Sequence, residues 1–222
     1  MAGESAVNSV LLIPVIVTFL VWIAIFTTGT YKLSMPSRLL AIVIVTICLQ
    51  LPVLGTTPFY YLRGVFGDFS ATHTLWALAA LGNRIVARDI FAIPQRQKIT
   101  LALILVVLAA GFYPSALGAT DFDIYRLGFE PVSLLIALAL VALLAWQTRQ
   151  YFLLASIATA VLAFRLQVLE SSNLWDYLFD PLLVLYCAVW LVATLLRFIF
   201  RRIMQRPEPS SRYGAAVAAA QS

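Results

Sequence analysis

Charge is what this sequence has least of. Asp, Glu, Lys and Arg together make up 11% of its 222 residues, where a soluble domain carries about 25%. So few charges cannot cover a water-facing surface, and lipid is the expected solvent. Histidine is nearly absent too. His73 is the only one, which excludes a haem held between two histidines and a metal site built from several. The only lysines are Lys32 and Lys98, both between apolar runs. None lies in the last apolar run, so a retinal Schiff base there is excluded. Cysteine occurs twice, as Cys48 and Cys187, each inside an apolar run. Both read as small core residues, with nothing that calls for a disulfide between them. No G-x-S-x-G, H-E-x-x-H, P-loop or G-x-G-x-x-G pattern occurs, so the enzyme classes those words signal have no support. No cofactor is expected.

What is present is apolar. Hydrophobic residues make up 62% of the chain, and the mean hydropathy is +0.94. A membrane helix needs about 20 mostly apolar residues. Seven runs are candidates: 7–28, 38–54, 66–83, 99–113, 131–146, 151–169 and 181–203. The third is the most polar, with Asp68, His73 and several hydroxyls. The fourth and fifth are short and need tilt or local bilayer thinning. Leu, Ala, Val and Ile run together without period-2 alternation, which argues against a β-barrel. The expected fold is all-α, a polytopic membrane protein of about seven transmembrane helices forming a single domain over 1–206. The segment 207–222, rich in Pro, Ser and Ala, reads as a disordered cytoplasmic tail.

The few charges are not scattered. With the N-terminus outside and seven crossings, the inner segments hold Lys32, Arg38, Arg84, Arg88, Arg96, Lys98, Arg149, Arg197, Arg201, Arg202, Arg206 and Arg212. The outer segments hold only Arg63, Arg126 and Arg165. The positive-inside bias selects this orientation, with the C-terminus cytoplasmic. Most acids fall on the other side: Glu4, Asp68, Asp121, Asp123, Glu130, Glu170, Asp176 and Asp180 lie outside, Asp89 and Glu208 inside. The first run has neither a basic segment before it nor a small-residue cleavage site after it, so it reads as a retained span. Arg far outnumbers Lys and Ala is abundant, a composition that suits a GC-rich bacterial genome. The basic run from Arg197 to Arg212 is a stop-transfer anchor that could also attract anionic lipid.

Three outer connections carry related words: Tyr61-Leu62-Arg63-Gly64-Val65-Phe66-Gly67-Asp68, Tyr125-Arg126-Leu127-Gly128-Phe129-Glu130-Pro131 and Tyr177-Leu178-Phe179-Asp180-Pro181. Each leads through a Phe to an acid, and a helix is expected to follow. An acid there accepts orphan N–H bonds and complements the macrodipole, and Pro suits the first helical position. A common helix-start device explains the words. Descent of three helical hairpins from one ancestor is the alternative.

Candidate site residues follow from the same map. Asp68 and His73 are expected on one side of the third span, an arrangement able to relay protons or orient a headgroup. The plain alternative is a histidine bonded to a neighbouring helix. Asp121-Phe122-Asp123 is a weak divalent-metal pattern, or else a solvated acidic turn. Asp176 and Asp180 share a face if their stretch is helical, as one half of a diphosphate-binding carboxylate set whose other half is missing. Arg165 lies near the outer end of the sixth run, against the charge trend, with Glu170, Asp176 or Asp68 as partners. Arg63, Arg126 and Arg165 could instead converge on a phosphate or carboxylate.

No complete catalytic constellation emerges. The leading expectation is a non-catalytic integral subunit that scaffolds or anchors a larger, bacterial envelope complex. A small transporter or lipid-handling carrier is the second, using Asp68, His73 and Arg165. A lipid-linked transferase at the outer face, using Asp121, Asp123 and the arginines, is the third. Expected partners are membrane lipids and other integral membrane subunits, with no nucleic acid. The expected location is the bacterial inner membrane.

Overall fold

The computed structural model describes residues 2–86 and 92–204, with side chains from residue 12 onward. Arg88, Asp89, Arg206, Glu208, Arg212, the side chain of Glu4 and the tail 207–222 lie outside the described residues. Those described are helical, with no strand among them. One isolated bridge, Val53 with Thr56, closes a turn.

The helices are α1 (Ala2–Phe26), α2 (Met35–Gln50), α3 (Pro58–Phe66), α4 (Ala71–Val86), α5 (Gln95–Ala116), α6 (Val132–Gln147), α7 (Tyr151–Arg165), α8 (Trp175–Leu178) and α9 (Pro181–Met204). Each of the seven apolar runs falls on one of the longer helices. Two of these, Gln95–Ala116 and Pro181–Met204, are long and apolar enough to cross a membrane. Leu12–Phe26, Met35–Gln50, Val132–Gln147 and Tyr151–Arg165 are apolar but shorter. α4 is in neither group because His73, Asn83, Arg84 and its threonines dilute it. Seven crossings are therefore more than helix length by itself supports.

The three related words are short helical turns rather than loops. The first is most of α3, which starts at the Thr57-Pro58 boundary that favours a helix N-terminus. The second is a 3-10 turn, Tyr125–Gly128, and the third takes in α8. The acid-cap device operates in one of them. Leu183 N–H donates to Asp180 Oδ1 (2.9 Å), with Pro181 as the first helical residue of α9. At α4 the cap is Ser70, whose hydroxyl accepts from His73 N–H (3.2 Å). A short hydroxyl next to the helix start does the capping, which leaves Asp68 for other partners. Glu130 is exposed.

The long helices alternate in direction, so connections gather at two ends. α4 and α7 form the centre, with α1 against α4, α6 against α7, and α5 paired with α9. These are not the sequential hairpins that a threefold repeat would produce, since α6 packs on α7 rather than on α5. Close approach uses small residues. Ala102 and Ala109 of α5 and Ala160 of α7 are fully or almost fully buried, the kind of contact that lets helices associate by packing. Two side-chain cores result. One joins Leu101, Phe112, Ile157, Tyr177 and Leu183 across α5, α7, α8 and α9. The other joins Trp22, Phe59, Phe69 and Leu81 across α1, α3 and α4.

Apolar residues fill the interior and also cover long exposed faces. Thr18, Thr72, His73, Ser156 and Asn173 are buried, while Leu185, Val189, Val192, Leu196 and Phe200 of α9 are exposed. So are Leu40, Val43, Ile44 and Ile47 of α2 and Val132, Ile136, Leu140 and Leu144 of α6. Scattered exposed apolar residues are ordinary, but contiguous apolar faces of this length are not. Cys48 is on the exposed face of α2, not in the core as expected, and only Cys187 is buried; both are free.

Candidate functional site

The end of the bundle holding the three short helical turns also holds most of the described acids. We call it the cap. Three carboxylates organise it, each held by donors from separate elements.

Asp180 links α9 to α4. Its Oδ2 accepts from Ser70 N–H (3.1 Å) and Ser70 Oγ (2.8 Å), and its Oδ1 accepts from Leu183 N–H. His73 Nδ1 lies 3.0 Å from Oδ2 and 3.2 Å from Oδ1. Burial pushes the carboxyl up, but the His73 hydrogen bond and charge, with Leu183 N–H and Ser70, outweigh it and hold Asp180 below its ordinary value. The imidazole is therefore fixed through Nδ1, edge-on to Phe69 (centroids 4.7 Å apart). The expected partnership of His73 with Asp68 does not form. Asp68 precedes α4, so it never shares a helical face with His73.

Asp68 instead ties α1 to α3. Arg63 Nε donates to its Oδ1 (2.7 Å) and Arg63 Nη2 to its Oδ2 (2.9 Å), a two-pronged pair. Buried Thr18 donates to the same Oδ1 at 2.9 Å. The Asp68 hydrogen bond, partly opposed by burial, raises the Arg63 guanidinium above its ordinary value. Glu170 reaches Arg63 Nη2 at 3.5 Å from an exposed position. Tyr60, Arg63, Gly64, Gly67, Asp68 and Glu170 surround an open hollow of about 430 Å3.

Asp176 and Asn173 join the connection after α5 to the connection after α7. Tyr125 Oη and Ser171 Oγ donate to Asp176 Oδ2. Burial, then the Asp176 charge, pushes the Tyr125 phenol up. Asn173, wholly buried, donates through Nδ2 to Tyr125 O (3.0 Å) and accepts Trp175 N–H (2.9 Å). Trp175 Nε1 donates to Ile124 O (3.0 Å). A Cβ on Gly128 would collide with the Asn173 and Trp175 side chains, so glycine is required for this approach. Asp176 and Asp180 do not act as a pair. Phe179 is extended between them (φ −157°), and they face different partners.

The other predicted residues are not drawn together. Arg126 and Arg165 are exposed and form no ion pair with the described residues, so the three outer arginines share no site. Arg165 ends α7, where a cation complements the helix C-terminus. Asp121 and Asp123 are exposed, and Asp123 Oδ1 accepts Tyr125 N–H (2.9 Å) in a turn. Among the described residues no three His, Cys, Asp or Glu side chains cluster in a way that could hold a metal ion.

Two participants were not singled out as site residues from the sequence. Ser70 and Asn173 gave no signal beyond their turn-forming character. Asp180 was read as a helix start and as a companion of Asp176, but nothing in the sequence pointed across 107 positions to His73.

Below His73 a cleft of about 350 Å3 runs along α4. His73, Trp76, Ala77, Ala80 and Arg84 line it from α4, Ala24 and Ile25 from α1, and Leu183 and Tyr186 from α9. A second hollow of about 280 Å3, between α5, α6 and α7, is almost wholly apolar and roofed by Trp175 and Phe179. Chemically, Asp180 and His73 can orient an imidazole to exchange a proton or a hydrogen bond with something in the cleft. Ser70 Oγ donates to Asp180 itself and is not a nucleophile activated by the histidine. Comparison with protein-family models, with curated proteins and with solved structures gave no match to this chain.

Proposed function

We propose that the chain is a seven-span integral protein of the bacterial inner membrane, N-terminus outside. Its proposed role is that of a non-catalytic subunit that anchors a larger membrane complex. The observation that carries this reading is the saturation of the cap. Asp68 and Asp180 accept protein donors on both carboxylate oxygens, and Asp176 accepts two on Oδ2; in each case at least one donor comes from a separate element. A catalytic or ion-coupled site keeps open valences for its substrate; a cap whose carboxylates are tied internally holds a shape. The long apolar faces of α2, α6 and α9 support the membrane placement. The apolar groove between α1, α2 and α3, about 640 Å3 and lined by Phe26, Ile44, Cys48, Leu49 and Tyr61 among others, suits a transmembrane helix of a partner.

Two measurements test this. Impermeant maleimide on intact cells should label an Ala119→Cys variant and spare Ser34→Cys, in a background without the native cysteines; the reverse pattern would refute the orientation. Native-nanodisc extraction should yield the chain in fixed stoichiometry with another integral protein. A chain that is isolated alone and then turns over a lipid or moves a solute in vesicles would refute the subunit role.

A lipid-handling carrier is a second reading, favoured by one observation: His73, held by Asp180, lines a cleft. Movement of lipid in vesicles, lost in His73→Gln, separates it from the first.

A further inference from the structure

The far end of the α4 cleft poses a charge problem. Arg84 is half-buried there, and its described partners are neutral oxygens. Nη1 donates to Ala24 O (2.5 Å) and Thr27 Oγ1 (2.8 Å), and Nη2 to Thr28 Oγ1 (3.4 Å). No ion pair with a described acid compensates it. The cleft leading away from it is lined by Ala77 and Ala80 of α4, Ala24 and Ile25 of α1, and Leu183 of α9. Small side chains along α4 leave the space. From His73 to Arg84 the helix rises about 16 Å, close to the roughly 15 Å of hydrocarbon in one leaflet.

We propose that this cleft holds one acyl chain of an anionic phospholipid from the inner leaflet, with the lipid phosphate on Arg84. The inference rests on the seven-span placement of the proposed function, which sets Arg84 at the inner face, and not on the subunit role. Charge complementarity selects the occupant. A guanidinium with no described acid as partner, at the mouth of an apolar channel, calls for an anion with a hydrocarbon tail, and the guanidinium fork matches phosphate. The neighbouring basic residues of the same end, Lys32 and Arg38 among them, raise the local concentration of anionic lipid. A zwitterionic lipid satisfies the channel but leaves the charge balance unchanged.

The experiment is native mass spectrometry of the purified, delipidated chain reloaded with phosphatidylglycerol or with phosphatidylcholine of identical acyl chains. Wild type should retain one phosphatidylglycerol per chain, with a preference of about tenfold over phosphatidylcholine. Arg84→Gln should erase the preference, and Arg84→Lys should keep most of it, which also reports that the helix end still folds. Ala80→Phe, with every charge intact, should lose both lipids from this site. Equal retention of the two lipids by wild type, an unchanged preference in Arg84→Gln, or undiminished binding in Ala80→Phe would each overturn the proposal. If the maleimide pattern at residues 34 and 119 is as expected, such a failure belongs to the cleft. If that pattern is reversed, it belongs to the membrane placement.

Discussion

The two ends of the bundle are built by opposite means. At the cap, acids take N–H and O–H donors from distant elements: Asp180 from α4, Asp68 from α1 and α3, Asp176 from the connection after α5. At the other end, arginines give donors to backbone carbonyls. Arg38 donates to Tyr31 O (2.7 Å) and Leu33 O (2.8 Å), Arg84 to Ala24 O at the end of α1, and Arg197 to Ala193 O (3.0 Å). Helix ends account for two of these contacts: Asp180 accepts an N–H at the start of α9, and Arg84 donates to a carbonyl at the end of α1. The cap is therefore cross-linked between elements by ion pairs and side-chain hydrogen bonds. The basic end is stitched mostly within or between adjacent elements, and its described arginines form no ion pair with a described acid.

The sharpest way to break this contrast is at Asp180. Asp180→Ala removes four acceptor contacts at once and leaves His73 and Ser70 buried without their partner. Loss of one member of such a buried pair costs about 3–5 kcal/mol. Thermal unfolding in detergent should show it as the most damaging single cap substitution, while Arg38→Ala at the basic end should cost only about 1 kcal/mol, since Arg38 is half-buried and its bonds go to neutral carbonyls. The same carboxylate gives a pH dependence. Its folded value lies below its unfolded one, so its contribution is complete above the ordinary carboxylate range and is lost as pH falls through and beneath that range. Asp180→Asn should flatten the acid limb of the stability curve; an unchanged limb would assign it to other groups.

Next in size is Gly128. Gly128→Ala forces a methyl into the Asn173 side chain and should cost about 1–3 kcal/mol. Gly64 in α3 is the matched control, since a Cβ there meets nothing within 4 Å. Gly64→Ala should be neutral or stabilising by up to about 1 kcal/mol. Equal effects at the two glycines would mean that the two outer connections are not locked together as described.

These positions also mark how far the sequence could be read. The helices were legible because apolar runs bounded by Pro, Gly and charge leave few alternatives. The short helix α3 had its signal in Thr57-Pro58, yet its charged and aromatic content made it look like a connection. The cap was legible in composition but not in pairing. His73 was placed with Asp68 because the two are neighbours in sequence, whereas Asp180 reaches it only through the way α9 is set against α4. Arg165 drew attention by being a cation on the acidic side, and it is exposed at the end of a helix. Partner choice in a helical bundle depends on helix rotation and register, which apolar periodicity leaves undetermined when most faces are apolar.

The smallest expected effect is at Glu170, and it tests what the cap is for. Arg63 is already held at two points by Asp68, and Glu170 adds one contact at 3.5 Å with a side chain that is 70% exposed. Glu170→Gln should therefore change stability by less than about 0.5 kcal/mol, within the range of exposed ion pairs. If the cap is a docking face, the same substitution alters the hollow where Arg63 and Glu170 meet solvent. Loss of the stoichiometric partner in native extraction, with unfolding unchanged, would separate an interface from a strut. Retention of the partner in Glu170→Gln, together with its loss when the α2 face is altered by Ile44→Gln, would move the interface from the cap to the groove between α1, α2 and α3.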